Sequence, residues 1–178
     1  MNPPSPSASS ATDDKRGDSV EPVELRDPAW LERLRTSGIR IDRQGQFIHE
    51  GEPVLHEGMR RAFFRWLDRL PDGRYVLRLD EKRYAYLDVE DTPLVATSLR
   101  WQGDRAYLGL NDGREEPLDP ATLNIDSEGV LRARVREGRL EARLATDATT
   151  VLAERIAGSG PGAQLSCDGK TTPIPARA

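Results

Sequence analysis

Both histidines of the chain fall in HEGEPVLHE, residues 49–57, beside three glutamates. Imidazole and carboxylate are the ligands of catalytic zinc, so His49, Glu52 and His56 form a candidate metal site and imply a metal-dependent hydrolase. The spacing points elsewhere. Zinc-protease histidines sit four apart on one helix so that both face the metal. Here they are seven apart with Gly51 and Pro53 between them, a pattern that suits a strand end, a polar turn and a helix start.

Other chemical patterns fail on context. GPGAQLSCDGKTTP, residues 160–173, imitates a phosphate-binding loop, but Gln164 stands where the first glycine belongs and Thr171-Thr172-Pro173 reads as strand rather than helix. Gly158 to Gly162 follows a helical pattern instead of opening one, which excludes a dinucleotide fingerprint, and Ala157 occupies the first glycine of a nucleophile elbow. Cys167 has no histidine or lysine cluster near it in sequence to favour a thiolate. The pairs Asp80-Glu81, Glu90-Asp91 and Glu115-Glu116 are adjacent residues, which on a strand point to opposite faces.

Two features stay open as binding groups. Glu90 and Asp91 stand in VEDTP, a turn-forming sequence at the middle of the chain, where Asp91 can bond backbone or a partner's arginine. Arg61, Arg65 and Arg69 recur at four-residue spacing on the polar side of a helical pattern, with Asp68 as partial relief, and such a row favours an acidic partner or an anion.

The elements that must position these groups are short. Apolar residues Met59, Ala62, Phe63, Trp66, Leu67 and Leu70 predict an amphipathic helix over 57–70, closed by Pro71-Asp72-Gly73. Before it, IRIDRQG at 39–45 predicts a strand and a turn, and LNIDSEG at 123–129 repeats that grammar eighty-four positions later. In both, the aspartate (Asp42, Asp126) is expected to accept backbone N–H groups two residues on, while the glycine supplies a positive φ. Further strands are predicted at 46–49, 74–79, 83–87, 94–101, 105–110, 130–135, 139–144, 163–167 and 170–174, with a second helix starting at Thr146 or Asp147 and running on a stripe of Ala148, Val151, Leu152 and Ile156.

The chain thus divides into a Pro/Ser-rich tail expected to be disordered (1–22), a docking helix (23–38) around Trp30, Leu31 and Leu34, a first α+β repeat (39–92), a connecting hairpin (93–122) and a second α+β repeat (123–178). The expected fold class is α+β: duplicated ββαββ-like units joined by a central hairpin, strand-rich sheets each with a packed helix. With 178 residues, one core or two interdependent halves are expected. A net charge of -4 argues against nucleic acid as partner, no apolar run is long enough for a membrane span, and a single cysteine suits a reducing, cytoplasmic setting.

The run IDRQGQFIHEGEPV, then DGRYVL, then VEDTPLVA resembles the bacterial family known as domain of unknown function 1285, over about residues 39–174. The resemblance implies repeated α+β motifs, a role in signal transduction and no established activity. The chain departs from the family's pattern at Leu79-Asp80-Glu81-Lys82, which lacks a Thr-Pro, at Leu94 in place of an aromatic, and at Ala121-Thr122-Leu123 in place of His-Pro-Leu. The expectation is a non-catalytic, signalling-associated module without cofactor that recognises a small ligand or protein partner through the groove between halves, Arg61, Arg65, Arg69, Glu90 and Asp91. The alternatives are the hydrolase built on His49, Glu52 and His56, and a structural protein that pairs with copies of itself as a homodimer through strand edges.

Overall fold

The structure is a computed structural model that describes residues 35–177. The expected tail, and the expected docking helix up to residue 34, lie outside the described residues. Thr36 to Gly38, assigned from sequence to the end of that helix, instead open the first strand: Gly38, at φ 65°, sits where the pairing register shifts between Thr36 and Arg40.

The chain is written in three-stranded meanders. Strands β1 (Thr36–Ile41), β2 (Phe47–His49) and β3 (Glu52–Pro53) form the first, and β4 (Leu67–Arg69), β5 (Tyr75–Arg78) and β6 (Tyr84–Val89) the second. Helix α1 (Glu57–Trp66) joins them, and β6 lies parallel to β1, giving one sheet in the order β3-β2-β1-β6-β5-β4. Next come β7 (Leu94–Gln102), β8 (Arg105–Leu110) and β9 (Glu115–Pro117), then a 3-10 turn (Pro120–Thr122), then β10 (Asn124–Ile125), β11 (Leu131–Val135) and β12 (Leu140–Leu144). These form a second sheet, β10-β11-β12-β7-β8-β9, in which β12 is again parallel to β7. The hairpin at the middle of the sequence is therefore the first arm of the second sheet.

Helix α2 (Thr146–Ala153) packs on β7 and β12, and β13 (Ile156–Ala157), β14 (Gln164–Cys167) and β15 (Lys170–Pro173) make a third, small sheet. Just beyond β15, Ala176 bridges in parallel to Ile125 of β10. The unit from β10 to residue 177 thus has the same order as the unit from β1 to β6: meander, helix, meander, and a parallel return of the end onto the first strand.

The matching turns show that duplication atom by atom. Asp42 Oδ1 accepts the N–H groups of Gln44 (2.9 Å) and Gln46 (2.8 Å), and Asp126 Oδ1 accepts those of Glu128 and Val130 (both 2.9 Å). Gly45 and Gly129 have φ of 77° and 80°, and each donates to the carbonyl of its aspartate at 3.0 Å. One buried apolar cluster then runs through all three sheets, from Ile41 and Phe47 through Leu94, Leu108 and Leu144 to Leu152, Leu165 and Ile174.

The helices depart from expectation at their ends. α1 stops at Trp66 because Leu67, Asp68 and Arg69 turn extended and pair with Leu77, Val76 and Tyr75; the helical spacing of Leu67 and Leu70 yields to the pairing that β5 offers. Phe47 is wedged between Phe63 and Phe64 of α1, at ring distances of 5.2 and 4.8 Å. α2 is preceded by Ala145, which offers no side-chain cap, and ends before Ile156, which belongs to β13. Among the described residues no helix is long and apolar enough to cross a membrane.

The two turn glycines differ in surroundings. A Cβ on Gly129 would meet open space, whereas one on Gly45 would lie 2.5 Å from Asn111 Nδ2 and 2.8 Å from Val95 Cγ2. Asn111 uses that space to clip the sheets together, donating to Gly45 O at 3.0 Å while its Oδ1 accepts Val95 N–H at 3.0 Å. Gly129→Ala is expected to cost about 1–2 kcal/mol, the ordinary penalty of a left-handed residue. Gly45→Ala should cost about 1 kcal/mol more, since the clip must also break. Urea unfolding of both variants gives the difference; equal losses would mean that the clip contributes nothing.

Candidate functional site

β11 and β12 alternate strictly. Leu131, Ala133, Val135, Leu140, Ala142 and Leu144 are buried, which puts Arg132, Arg134, Glu141 and Arg143 on the opposite face. The register sets Arg132 directly across from Arg143, and like charges so placed repel. Their counter-charges come from elsewhere in the chain. Asp91, in the connector 90–93 between the first two sheets, holds Arg132 Nη2 at 2.5 Å and faces Arg143 Nε at 3.7 Å. Asp126, at the end of β10, accepts Arg132 Nε at 2.9 Å and Nη2 at 2.8 Å. Glu141 stands 3.8 Å from Arg132 and accepts Arg177 Nη1 through both oxygens, at 3.0 and 2.9 Å.

This knot is largely withdrawn from water: the side chains of Arg132 and Asp91 are 12% and 17% exposed. Burial pushes the Asp126 carboxyl up, but the Val130 N–H, the Arg132 guanidinium and the Glu128 N–H outweigh it and hold the group below the usual carboxylate range. Desolvation works against the charge on Arg132, and its bonds to Asp126 and Asp91 restore and raise its pKa. Thr92, also buried, donates to Leu94 O at 2.8 Å and accepts Arg143 N–H at 3.3 Å, so the connector is fixed by backbone as well as charge.

Above the knot opens a cleft of about 480 Å³, lined by Arg43, Glu90 and Glu128 as well as the residues already named. Glu90 pairs with Arg40. The Nε of Arg143, though buried, has no hydrogen-bond partner among the described residues, since Asp91 is too far and Arg132 has taken its other oxygen. A turn of the Arg143 side chain toward the cleft would bring that donor to an entering acceptor.

The residues singled out from sequence scatter. Glu90 and Asp91 do meet, at the cleft. The arginine row dissolves: Arg61 pairs with Glu57 within α1, Arg69 lies on β4 with Nε bonded to Gly73 O and its guanidinium over the Tyr75 ring, and Arg65 alone is left without a partner for its guanidinium among the described residues. His56 caps α1, its Nδ1 accepting Met59 N–H at 3.2 Å, while His49 and Glu52 face each other across the β2–β3 turn. Among the described residues no group of three or more His, Cys, Asp or Glu side chains is arranged to hold a metal ion. Cys167 is buried, with Sγ 3.3 Å from Asp104 O. Arg132, Glu141, Arg143 and Arg177 were not singled out; for the first three the available signal was the alternation of charge with apolar residues in LRARV and LEARL, and for Arg177 there was none.

Asp91→Asn should leave Arg132 and Arg143 opposed with one carboxylate fewer, costing about 3 kcal/mol. For a chain of this size that is a drop of roughly 6–12 °C in Tm, read by thermal unfolding. Asp126 gives a pH signature. Its folded pKa lies below its ordinary value of 3.8, so its contribution is complete above that value and is lost as pH falls through the folded one. Stability of the natural chain should therefore fall over that acid window, and Asp126→Asn should flatten this part of the profile.

The chain matches no family model and no curated protein. Its fold is similar to that of two solved structures. One is a DUF1285 family protein from Silicibacter pomeroyi DSS-3, with a TM-score of 0.66 and 22% identity over 78% of this chain and 80% of that one. The other is a DUF1285 family protein from Shewanella baltica OS155, with a TM-score of 0.57 and 15% identity over 67% of this chain and 93% of that one. The repeated α+β architecture is therefore the fold seen in DUF1285 proteins of two bacteria.

Proposed function

We propose that the protein is a non-catalytic binding module, associated with signalling in the cytoplasm, that takes a small polar ligand or a segment of a protein partner in the cleft beside Arg132. The observation that carries this reading is Arg143: its side chain lines a cleft of about 480 Å³, and its buried Nε has no hydrogen-bond partner among the described residues. Buried donors are nearly always satisfied, and one left open beside a cleft is a place for a ligand's acceptor.

The cleft also defines what such a ligand must look like. Arg43, Arg143 and Arg177 offer donors, and Glu90 and Glu128 at the rim offer acceptors, so the fitting molecule bears both, as an amino-acid-like or peptide-like group does. The internal pairing of Arg132 holds the floor rigid, which limits the ordering cost on binding.

Thermal unfolding of the full chain against amino acids, short peptides and common polar metabolites tests this. A true ligand at about a hundred times its Kd adds roughly 2.7 kcal/mol and raises Tm by about 5–11 °C. Arg143→Ala should keep the fold but lose that response. A ligand whose effect survives Arg143→Ala would bind elsewhere and would overturn the assignment of this cleft.

A further inference from the structure

A second cavity, of about 220 Å³, lies between the edge of the first sheet and two turns of the second. Arg65 comes from the last turn of α1, Arg78 from β5, Arg114 from the β8–β9 turn, and Arg136 and Arg139 from the β11–β12 turn. Among the described residues only one carboxylate, Asp68, lines the cavity with them. It holds Arg78 Nε at 2.9 Å and Arg139 Nη1 at 3.3 Å. Behind the wall, Asp112 and Glu116 hold Arg136. Five guanidiniums thus share three carboxylates, an excess of two positive charges around one small space.

The arginines are also incompletely satisfied. Arg65 has no partner for its guanidinium among the described residues, and the nearest carboxylate to Arg114 is Asp112 at 3.9 Å, an ion pair without a hydrogen bond. Arg78 Nε and Arg136 Nε are close to Asp68 and Glu116, at 2.9 and 2.8 Å, but neither N–H points at its carboxylate, so both are buried donors without a hydrogen bond. In the cleft beside Arg132 the carboxylates match the arginines; here they do not.

We infer that this cavity is an oxyanion site for a phosphoryl group, free or as the monoester of a small molecule. Its volume is below the ~300 Å³ at which sites for larger ligands begin, which selects a compact anion. Guanidiniums converging from four separate segments suit a tetrahedral dianion, whose oxygens point in several directions, better than a planar carboxylate, which is met by one bidentate fork. The exposed arginines Arg65, Arg114 and Arg139 stand where they can close on the anion, while Asp68 bridges Arg78 and Arg139.

Isothermal titration of the full chain with inorganic phosphate and with glycerol phosphate, at ionic strength matched by chloride and with acetate as the carboxylate comparison, reads this directly. Saturable binding of either phosphate compound over chloride and acetate is expected. Arg65→Gln with Arg139→Gln should weaken it by about tenfold or more, whereas Arg61→Gln, one turn back on α1 and outside the cavity, should leave it unchanged. Binding of both compounds means that the phosphoryl group alone suffices; binding of the ester alone assigns the site to a phosphorylated small molecule. Should the double variant fail to fold, phenylglyoxal modification of the natural chain with peptide mapping serves instead: phosphate should protect Arg65 and Arg139 and leave Arg61 reactive. No saturable binding at about 10 mM, acetate binding as well as phosphate, or binding indifferent to the Arg65 and Arg139 changes would each overturn the inference.

Discussion

Two arginines placed face to face on neighbouring strands, Arg132 and Arg143, set the constraint on which the arrangement of sheets depends. They face each other because Ala133 and Ala142 must be buried, and the strand period then puts their neighbours on the other side. The repulsion is relieved by carboxylates from parts of the chain that would otherwise be free to wander. Asp91 pins the connector between the first and second sheets, and Asp126 pins the turn leading out of β10. β10 in turn receives the end of the chain through Ile125 and Ala176, and Arg177 closes on Glu141. Most of the folding energy still comes from the apolar cluster, since a mostly buried ion pair returns little beyond its own desolvation. What the charges add is position: Asp91 and Thr92 tie the connector to Arg132 and to the Arg143 N–H.

Seen from that knot, the duplication is one of meanders rather than of halves. A parallel return of a last strand onto a first strand occurs as β6 on β1, as β12 on β7, and as Ala176 on Ile125. The second and third of these share the meander β10 to β12, so the units overlap. What lies between the meanders varies: α1 in the first unit, a 3-10 turn at Pro120–Thr122 in the second, α2 in the third. The turn sequence is therefore under tighter constraint than the crossover. Asp42 and Asp126 satisfy two backbone donors each in a tight space, whereas a crossover has only to cover its sheet.

Much of this was legible in the sequence where one residue decides the local geometry. The Asp–Gly turns and the alternating strands at β8, β11 and β12 are such cases, because positive φ and a period of two leave few options. The stretch from Leu67 to Leu70 was not, since its apolar residues keep a helical spacing and only the presence of β5 beside it turns it into a strand. Of the cleft, Glu90 and Asp91 were visible through their turn composition. Arg132 and Arg143 were not, because nothing local distinguishes a charge that faces water from one that faces a carboxylate far along the chain, as Asp91 is.

The arginine row on α1 makes the same point from the other side. Spacing of four places Arg61 and Arg65 on one face of a helix, and to that extent the pattern was right. What each arginine does then follows from the company the tertiary structure supplies: Glu57 for Arg61, the Tyr75 ring and Gly73 carbonyl for Arg69, and four further guanidiniums for Arg65. A chain with a net charge of -4 can still concentrate positive charge locally, because net charge sums over a surface whereas a site is decided within roughly a Debye length, about 8–10 Å. Arginines alternating along β11 and spilling into its turn reach two such places at once. On one side of the second sheet they meet enough carboxylates to form a rigid floor, while at its turns Arg136 is joined by Arg65, Arg78, Arg114 and Arg139 with fewer carboxylates than guanidiniums, which leaves the excess that an anion would balance.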